Sequence, residues 1–476
     1  MTKEGISVAC ADFSCIYNRC MLDQALEYAR AHRAEFLADF FTHLSFPSVS
    51  AQPAHVADIR HTAEWLQQHL QRLGMRAQVM ETGGHPVVYA DWLKAGADKP
   101  TILIYGHYDV QPPEPFELWH SDPFKAEIRD GYIYARGSND NKGQHFAHIK
   151  AIESYLKSAG ALPVNVKLLI EGEEEIGGPN LGKFVEQQQA LLNCDAVMIS
   201  DGALLTLTQP SLTYGLRGLT KMEVTVTSLA KDVHSGSYGG NVQNPAVALA
   251  QIIAKLKDEL GRVAIPGYYD DVRVMDAAER AELARIPYGE KEVLAETGAQ
   301  TLFGDPAFAV NERKGGRPTL EINGMWSGYT GPGSKTIIPA TAHCKITCRL
   351  VPNMKPQKIH ALVANYIKQV APPGCTVEVE QYSEGAPGVL VDRDSLYVAA
   401  ASRAAESTYG NPPIFELEGG SIPVVGDFQR VLHKPVILLG FGLNDDNVHS
   451  PNERYAVECW EKAIEAGVRF LTECGA

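Results

Sequence analysis

Residues 104–113 read IYGHYDVQPP, and a short apolar run places His107 and Asp109 at the point where a buried parallel strand ends. Four other runs offer polar residues of the same kind: RGSNDNKGQ (136–144), EGEEEIGG (171–178), ISDG (199–202) and NVHSPNE (447–453). The ligands of an open α/β sheet gather beyond the carboxyl ends of its strands. Together the runs therefore predict a hydrolytic metal site at one edge of an α/β sheet.

Strand-like and helical patterns alternate on both sides of these runs, which predicts a mostly parallel sheet with helices on both faces. We assign this catalytic domain to residues 1–213 and 386–476. Near Tyr214 the pattern changes to strands with period-two alternation, such as KMEVTVTS and HCKITCRLV, each followed by an amphipathic helix. Residues 214–385 are therefore predicted to form an inserted α+β domain of two layers, with long lid loops at about 265–330.

Composition limits the classes of partner. The net charge of −14 argues against nucleic acid, and no apolar run approaches the ~20 residues that span a bilayer. The odd count of nine cysteines, without a signal peptide or a framework spacing, favours reduced thiols and a cytoplasmic location. Cys10, Cys15 and Cys20 could bind metal, but their even spacing is not that of a zinc ribbon. Residues 1–20 lack helical periodicity and are predicted to be a poorly ordered extension, with Met21 as the first residue of the folded chain.

The polar residues at the strand ends have the chemistry of a dinuclear centre. Two divalent ions ~3.5–4 Å apart need one bridging carboxylate and separate nitrogen and oxygen ligands for each ion. Two histidines and three carboxylates meet that count: His107, Asp140, Asp201, Glu175 and His449. Asp140 is the natural bridge, and Glu174, next to a ligand, stands where a general base would be. Imidazole and carboxylate without thiolate fit zinc, manganese or cobalt.

Each of these residues also has an ordinary structural interpretation. His107 taken alone fits a structural histidine, and residues 173–175 fit a solvated acidic face. Asp140 and Asp201 fit turns, and His449 fits a polar residue beside a helix. Five such residues at equivalent strand ends favour the metal site over five separate structural roles.

The order of the motifs resembles that of the dinuclear-metal aminoacylase/carboxypeptidase family, in its dipeptidase branch of carnosinases and cytosolic non-specific dipeptidase. The resemblance runs from Leu22 to Arg469. The motifs that carry it are YGHYDVQP, PFELWHSDPF, ARGSNDNKGQ, EGEEEIG, YGLRG, DVHSGSYGGNV, SKTIIP, RLVPNM and EGGSIPV.

The resemblance implies a catalytic domain of the zinc-exopeptidase type with two divalent metal ions per subunit, zinc first and manganese or cobalt as alternatives. One ion would be held by His107, Asp140 and Asp201, and the other by Asp140, Glu175 and His449. A hydroxide bridging the metals would attack the peptide carbonyl of a dipeptide, and Glu174 would pass its proton to the leaving amine. Asp109 would orient His107.

The resemblance also implies roles for the inserted domain as a lid and dimerisation domain of a homodimer. Arg349 matches the residue that binds the substrate carboxylate, and His234 matches a histidine that polarises the scissile carbonyl from the neighbouring subunit. The remaining pocket residues are Thr336, Glu418, Gly420 and Ser421. Without the resemblance, Arg349 would be assigned to a salt bridge and His234 to a loop. The peptide bond Asp140–Asn141 is predicted to be cis, as in these relatives.

We therefore predict a metal-dependent dipeptidase. An N-acyl-amino-acid deacylase or desuccinylase could use the same site with another substrate, and a free α-amino group on the preferred substrate would distinguish the two. A non-catalytic binding protein on the same fold is the second alternative, and the complete set of ligands argues against it.

Overall fold

The computed structural model describes residues 18–476, and the prediction of a poorly ordered extension lies outside them except for residues 18–20, which are helical. The helices are α1 (18–31), α2 (Arg33–Leu44), α3 (Val56–Arg72), α4 (Lys142–Ser158), α5 (Leu181–Gln187), α6 (Gln189–Leu192), α7 (Ser235–Tyr238), α8 (Pro245–Ile253), α9 (Ala277–Leu283), α10 (Glu290–Thr297), α11 (Val310–Gly316), α12 (Pro356–Val370), α13 (Leu396–Tyr409), α14 (Pro423–Asp427) and α15 (Val457–Gly475).

The strands, many of them short, are β1 (Arg76–Met80), β2 (Val87–Trp92), β3 (Thr101–His107), β4 (Glu127–Arg129), β5 (Tyr132–Tyr134), β6 (Asn165–Glu171), β7 (Ala196–Ile199), β8 (Ala203–Leu204), β9 (Ser211–Leu216), β10 (Gly218–Thr227), β11 (Val233–His234), β12 (Thr319–Ser327), β13 (Ile337–Ile338), β14 (Thr341–Leu350), β15 (Thr376–Gln381), β16 (Val389–Leu390), β17 (Ile414–Glu418), β18 (Val436–Leu438), β19 (Gly442–Leu443) and β20 (Arg454–Ala456). Among the described residues, no helix is both long and apolar enough to cross a membrane.

The described chain divides into two compact units. The larger unit runs to Tyr214 and also contains Val391–Phe415 and Pro423–Ala476. The smaller unit contains Gly215–Leu390 and Glu416–Ile422. It therefore includes a second segment that the sequence had placed in the α/β domain.

The larger unit is built on a sheet with the strand order β1-β2-β6-β3-β7-β18-β9. Pairing is parallel at the centre, between β6, β3, β7 and β18, and antiparallel towards both edges. The central strands β3 and β6 are almost wholly buried, as their continuous apolar runs predict. Helix α4 packs on β3 so closely that a Cβ on Gly106 would lie 2.4 Å from Cβ of His145. The predicted α/β fold is confirmed.

The smaller unit has an antiparallel sheet with the order β12-β14-β10-β15, and α8 and α12 pack against it. Every second residue of β10 is buried, including Met222, Val224 and Val226, as the alternation predicts. Asn244 caps α8, since its Oδ1 accepts from Ala246 N at 2.9 Å. Strand β12 and helices α9 to α11 lie in the segment predicted to consist of loops, so that prediction was wrong for these elements.

Candidate metal centre

The first group of candidate ligands contains His107, Asp140 and Asp201. His107 is the last residue of β3 and is fully buried. Its Nε2 lies 3.1 Å from Asp140 Oδ1 and 3.8 Å from Asp201 Oδ2. Asp201 follows β7, which is the neighbour of β3 in the sheet, so two adjacent parallel strands deliver these side chains to one edge.

The second group contains Asp140, Glu175 and His449, so the two groups share Asp140. His449 Nε2 lies 2.9 Å from Asp140 Oδ2 and 3.3 Å from Glu175 Oε2. Glu175 follows β6, the other neighbour of β3. The structure thus brings together all five residues that the sequence proposed as ligands.

One of the five residues, Asp140, reaches the site by a different route from the one predicted, and His449 follows a loop, as predicted. Asp140 was expected at the end of a strand of the main sheet, but the strand before it, β5, belongs to a small antiparallel sheet with β4 and β20. Asp140 lies directly before α4, and Asn141 is the residue at the cap of that helix. His449 lies in the loop between β19 and β20. Three of the candidate ligands therefore follow parallel strands of the main sheet, and the other two lie on loops.

Asp109 contacts both the ring of His107 and the backbone of the segment that carries Glu174 and Glu175. Its carboxylate accepts from the backbone N of Glu174 at 3.2 Å and from that of Glu175 at 3.0 Å. His107 Nδ1 lies 3.1 Å from the backbone O of Asp109 and 3.4 Å from its Oδ1. A proton on Nδ1 leaves the lone pair of Nε2 directed at the carboxylates, which is the tautomer a metal ligand needs.

Two further residues hold the candidate ligands, and the sequence analysis did not single them out. Asn141 donates from Nδ2 to Asp201 Oδ1 at 2.9 Å, while its Oδ1 accepts from the backbone N of His107 at 3.3 Å. Gln111 donates from Nε2 to Glu175 Oε2 at 2.8 Å. Both residues stand inside motifs that were recognised because of other residues. Their closeness in sequence to a candidate ligand was the signal that could have identified them.

The electrostatics of the centre reflect an excess of negative charge. Burial and the charges of Asp201, Glu175 and Asp140 raise the pKa of Glu174 to about 9, although His107 opposes the shift. Burial and Asp140 raise the pKa of Glu175 to about 7. Hydrogen bonds to Asp140 and Glu175 raise the pKa of His449 to about 10. The converging carboxylates therefore favour a proton on Glu174, Glu175 and His449, whereas hydrogen bonds to His107 and His449 lower the pKa of Asp140 against the effect of its burial.

The residues fit a pair of divalent cations. His107 Nε2 is buried and has no hydrogen-bond partner among the described residues, although carboxylate oxygens surround it. Within each group the ligand atoms lie within 4.8 Å of one another. Ligands that share one ion at about 2.0–2.2 Å lie about 3–4 Å apart, close to the distances seen here. An imidazole nitrogen and carboxylate oxygens in each group are donors suited to zinc, manganese or cobalt.

The peptide bond Asp140–Asn141 is cis, as predicted.

In the smaller unit, the structure brings together four of the residues proposed for the substrate. Arg349, on β14, donates from Nη1 to Ser421 Oγ at 3.0 Å. Glu418 accepts at Oε1 from the backbone N of Gly420 at 3.4 Å, and its Oε2 lies 2.5 Å from Lys314 Nζ. Glu418 is thus paired with a lysine that the sequence analysis did not identify.

His234 and Thr336 are also neighbours in the smaller unit, on the short strand pair β11 and β13 and the residues beside it. The backbone N of Ser235 donates to the backbone O of Thr336 at 3.0 Å. His234 is exposed, and its Nδ1 accepts from Gly236 N at 3.0 Å. In the neutral ring this leaves the proton on Nε2, so the exposed nitrogen is a hydrogen-bond donor.

An α/β sheet with a cluster of imidazole and carboxylate side chains at its edge is typical of the class of metal-dependent hydrolases. Residues 103–473 match the model of peptidase family M20/M25/M40, so the chain belongs to this family.

The relatives are similar over most of their length. The chain is 31% identical to the Cys-Gly metallodipeptidase dug1 of Schizosaccharomyces pombe, and the match covers 95% of this chain and 98% of the relative. It is 30% identical to the human Beta-Ala-His dipeptidase, with 91% and 89% covered. The crystal structure of the M20 family metallo-carboxypeptidase Sso-CP2 from Sulfolobus solfataricus superposes with a TM-score of 0.83 at 35% identity, covering 93% of this chain and 99% of that one.

These relatives confirm the predicted family, and the names of the two curated ones confirm the predicted enzyme class, a metallodipeptidase. The deacylase and the non-catalytic binding protein are not favoured.

Proposed function

We propose that the chain hydrolyses the peptide bond of dipeptides with two divalent cations, zinc in the first place. His107, Asp140 and Asp201 would hold one cation, and Asp140, Glu175 and His449 the other. The observation that carries the proposal is the convergence of two candidate ligand groups on the shared Asp140, with the carboxylate of Glu174 next to Glu175 in the chain and subject to the charges of both groups. When bound, the cations would activate a water molecule and polarise the scissile carbonyl.

The residues of the chain supply the other parts of the reaction. The carboxylate of Glu174 takes a proton from the attacking water and returns it to the leaving nitrogen. The Arg349 guanidinium, held by Ser421, pairs with the terminal carboxylate of the substrate. His234 donates from Nε2 to the carbonyl oxygen as negative charge develops on it. Thr336, Glu418 and Gly420 line the pocket, and a homodimer brings His234 to the partner's site.

Substrate length is the property to test, because the Sulfolobus relative is named a carboxypeptidase. A carboxypeptidase would also remove the last residue of longer or N-acylated peptides, whereas a dipeptidase requires the free α-amino group. The experiment measures turnover of a dipeptide, its N-acetyl form, its C-terminal amide and the matching tripeptide, with Zn²⁺ and with Mn²⁺.

We expect cleavage of the free dipeptide and a large loss on the other three substrates. Chelation should abolish the activity, and added metal should restore it. Equal turnover of the N-acetyl dipeptide would contradict the dipeptidase and support the carboxypeptidase.

A further inference from the structure

We propose that Glu453 is a positioning residue of the metal centre. Together with Arg136 it fixes the loop that carries Asp140 and ties that loop to the segment that carries His449. The inference rests on the proposed function, since it takes Asp140 and His449 as ligands of the same cation.

The carboxylate of Glu453 is fully buried and is surrounded by backbone donors from one loop. Its Oε1 accepts from Asn139 N and Asp140 N, each at 3.0 Å. Its Oε2 accepts from Gly137 N at 2.9 Å. A single side chain thus holds three backbone N–H groups in the four residues that end at Asp140. The ion pair with Arg136 favours the ionised form of Glu453, and hydrogen bonds to an ionised acceptor are about twice as strong as neutral ones.

Arg136 extends the contact to the second ligand loop. Its guanidinium is buried and donates from Nη1 to Glu453 Oε2 at 2.8 Å. Its Nη2 lies 3.3 Å from the backbone O of Ser450, the residue after His449, and 3.4 Å from the backbone O of Pro112. The planar fork of an arginine can reach several acceptors at once, which an ammonium group cannot do in the same geometry.

The second ligand group depends on this support more than the first. His449 is 53% exposed at its side chain and has a φ of +63°, so side-chain packing does not fix its position. His107 is buried at the end of a strand, and Asn141 holds Asp201 independently of Glu453. Loss of Glu453 should therefore loosen Asp140 and His449, the ligands that face each other at 2.9 Å.

The experiment compares stepwise metal affinities. Full-length wild type and Glu453→Gln are freed of metal by chelation and titrated with Zn²⁺ in a calorimeter, with circular dichroism as the check of folding. His449→Ala and Asp201→Ala assign the two steps to the two groups. In Glu453→Gln, affinity for the step that needs His449 should fall about 10- to 100-fold, the usual effect of losing a residue that supports a ligand. The step that needs Asp201 should fall less.

Two further variants make the result decisive. Arg136→Lys keeps the positive charge beside Glu453 but loses the fork, and it should show the same selective loss if Glu453→Gln fails to fold. Glu279→Gln is the matched control, because it removes a buried carboxylate paired with Arg273 in the smaller unit and should leave both affinities unchanged.

An equal fall in both steps, or no fall in a folded Glu453→Gln protein, would overturn the proposal. A wild-type protein that binds two ions in this assay but cleaves no dipeptide would contradict the proposed function and leave the positioning role of Glu453 intact.

Discussion

Four glutamates within five residues occupy four different environments at the end of β6. Glu171 is buried and accepts from the hydroxyl of Tyr105. Glu173 accepts from the backbone N of His85 at 2.9 Å, which holds a neighbouring loop. The charges of Asp201, Glu175 and Asp140 act on Glu174, and Glu175 belongs to one of the candidate ligand groups. A run of glutamates is usually a solvated acidic face. Only the surroundings of each side chain in the folded structure therefore distinguish the proposed base and the proposed ligand from the two structural residues.

Replacement of Glu174 by Gln tests the assignment of the base. The substitution keeps the size of the side chain and one acceptor oxygen but removes proton transfer, which contributes about 10²- to 10⁴-fold to a rate. Turnover should therefore fall by at least that range, while the metal content measured by mass spectrometry stays at the wild-type value.

Glu173→Gln is the matched control for this prediction, because the amide oxygen can still accept from His85 N and the site keeps its base. Its turnover should stay within a few-fold of wild type. Activity of Glu174→Gln within tenfold of wild type would show that another group moves the proton.

At the scale of elements, three helices of the larger unit meet at one buried ammonium group. Lys150 of α4 is fully buried and contacts Asp39 of α2 at 2.6 Å, Glu153 of α4 at 2.7 Å and His69 Nε2 of α3 at 3.4 Å. Burial and Lys150 lower the pKa of His69 to about 3, so the ring is a neutral acceptor. The carboxylates and the histidine resemble a metal group, but the ammonium of Lys150 already supplies the cation.

Lys150→Met should therefore destabilise the protein strongly. Removing one partner of a buried ion pair leaves an uncompensated charge and costs about 3–5 kcal/mol in the free energy of unfolding. Urea denaturation measures the change. Lys257→Met is the control, since the same substitution there breaks a more exposed pair with Glu321 and should cost about 0–1 kcal/mol.

Lys150→Met combined with Glu153→Gln should recover part of the lost stability. The second change removes the buried negative charge that the first one leaves without a partner. If Lys150→Met and Lys257→Met lose equal stability, the ammonium group does not hold the three helices together.

Strand β12 is an element that the alternation of apolar and polar residues does not predict. Its residues read TLEINGMWS, and a β-bulge between Ile322 and Gly324 shifts its register against β14. The bulge interrupts the period-two alternation that made β10 and β14 predictable, so the strand reads as a loop. The segment GYIYAR was predicted to be a strand and contains β5, but three residues are too few to show which sheet a strand joins. The position of Asp140 between β5 and α4, away from the main sheet, could not be predicted for that reason.

At the scale of the whole molecule, the residues that form the two candidate ligand groups could be predicted from the sequence, whereas the division of the chain into units was harder to predict. Each of these residues stands in a motif whose residue types indicate metal binding from the sequence alone, and the family motifs occur in one order. The smaller unit, in contrast, takes in Glu416–Ile422, which contains three proposed substrate residues. Seven residues show no periodicity of their own, so only contacts in the folded chain assign them to a unit.

The assembly of two chains is the last prediction, and it concerns His234. If the exposed Nε2 of His234 donates to the substrate of a partner subunit, each site needs residues from two chains. His234→Ala alone should lose about 10²- to 10³-fold in turnover, the effect of one missing oxyanion donor. Glu174→Gln should also be inactive, because it lacks the residue that the other chain contributes to the shared site.

Mixing the two inactive proteins and allowing their subunits to exchange should restore activity. A mixed dimer has one site with both Glu174 and His234 intact, and random exchange makes half of the dimers mixed, so about a quarter of wild-type activity should return. Two different affinity tags on the variants measure the exchange independently of turnover. If His234 acts within its own chain, every site in the mixture lacks one residue. Exchange proven by the tags without any recovered activity would therefore exclude the shared site.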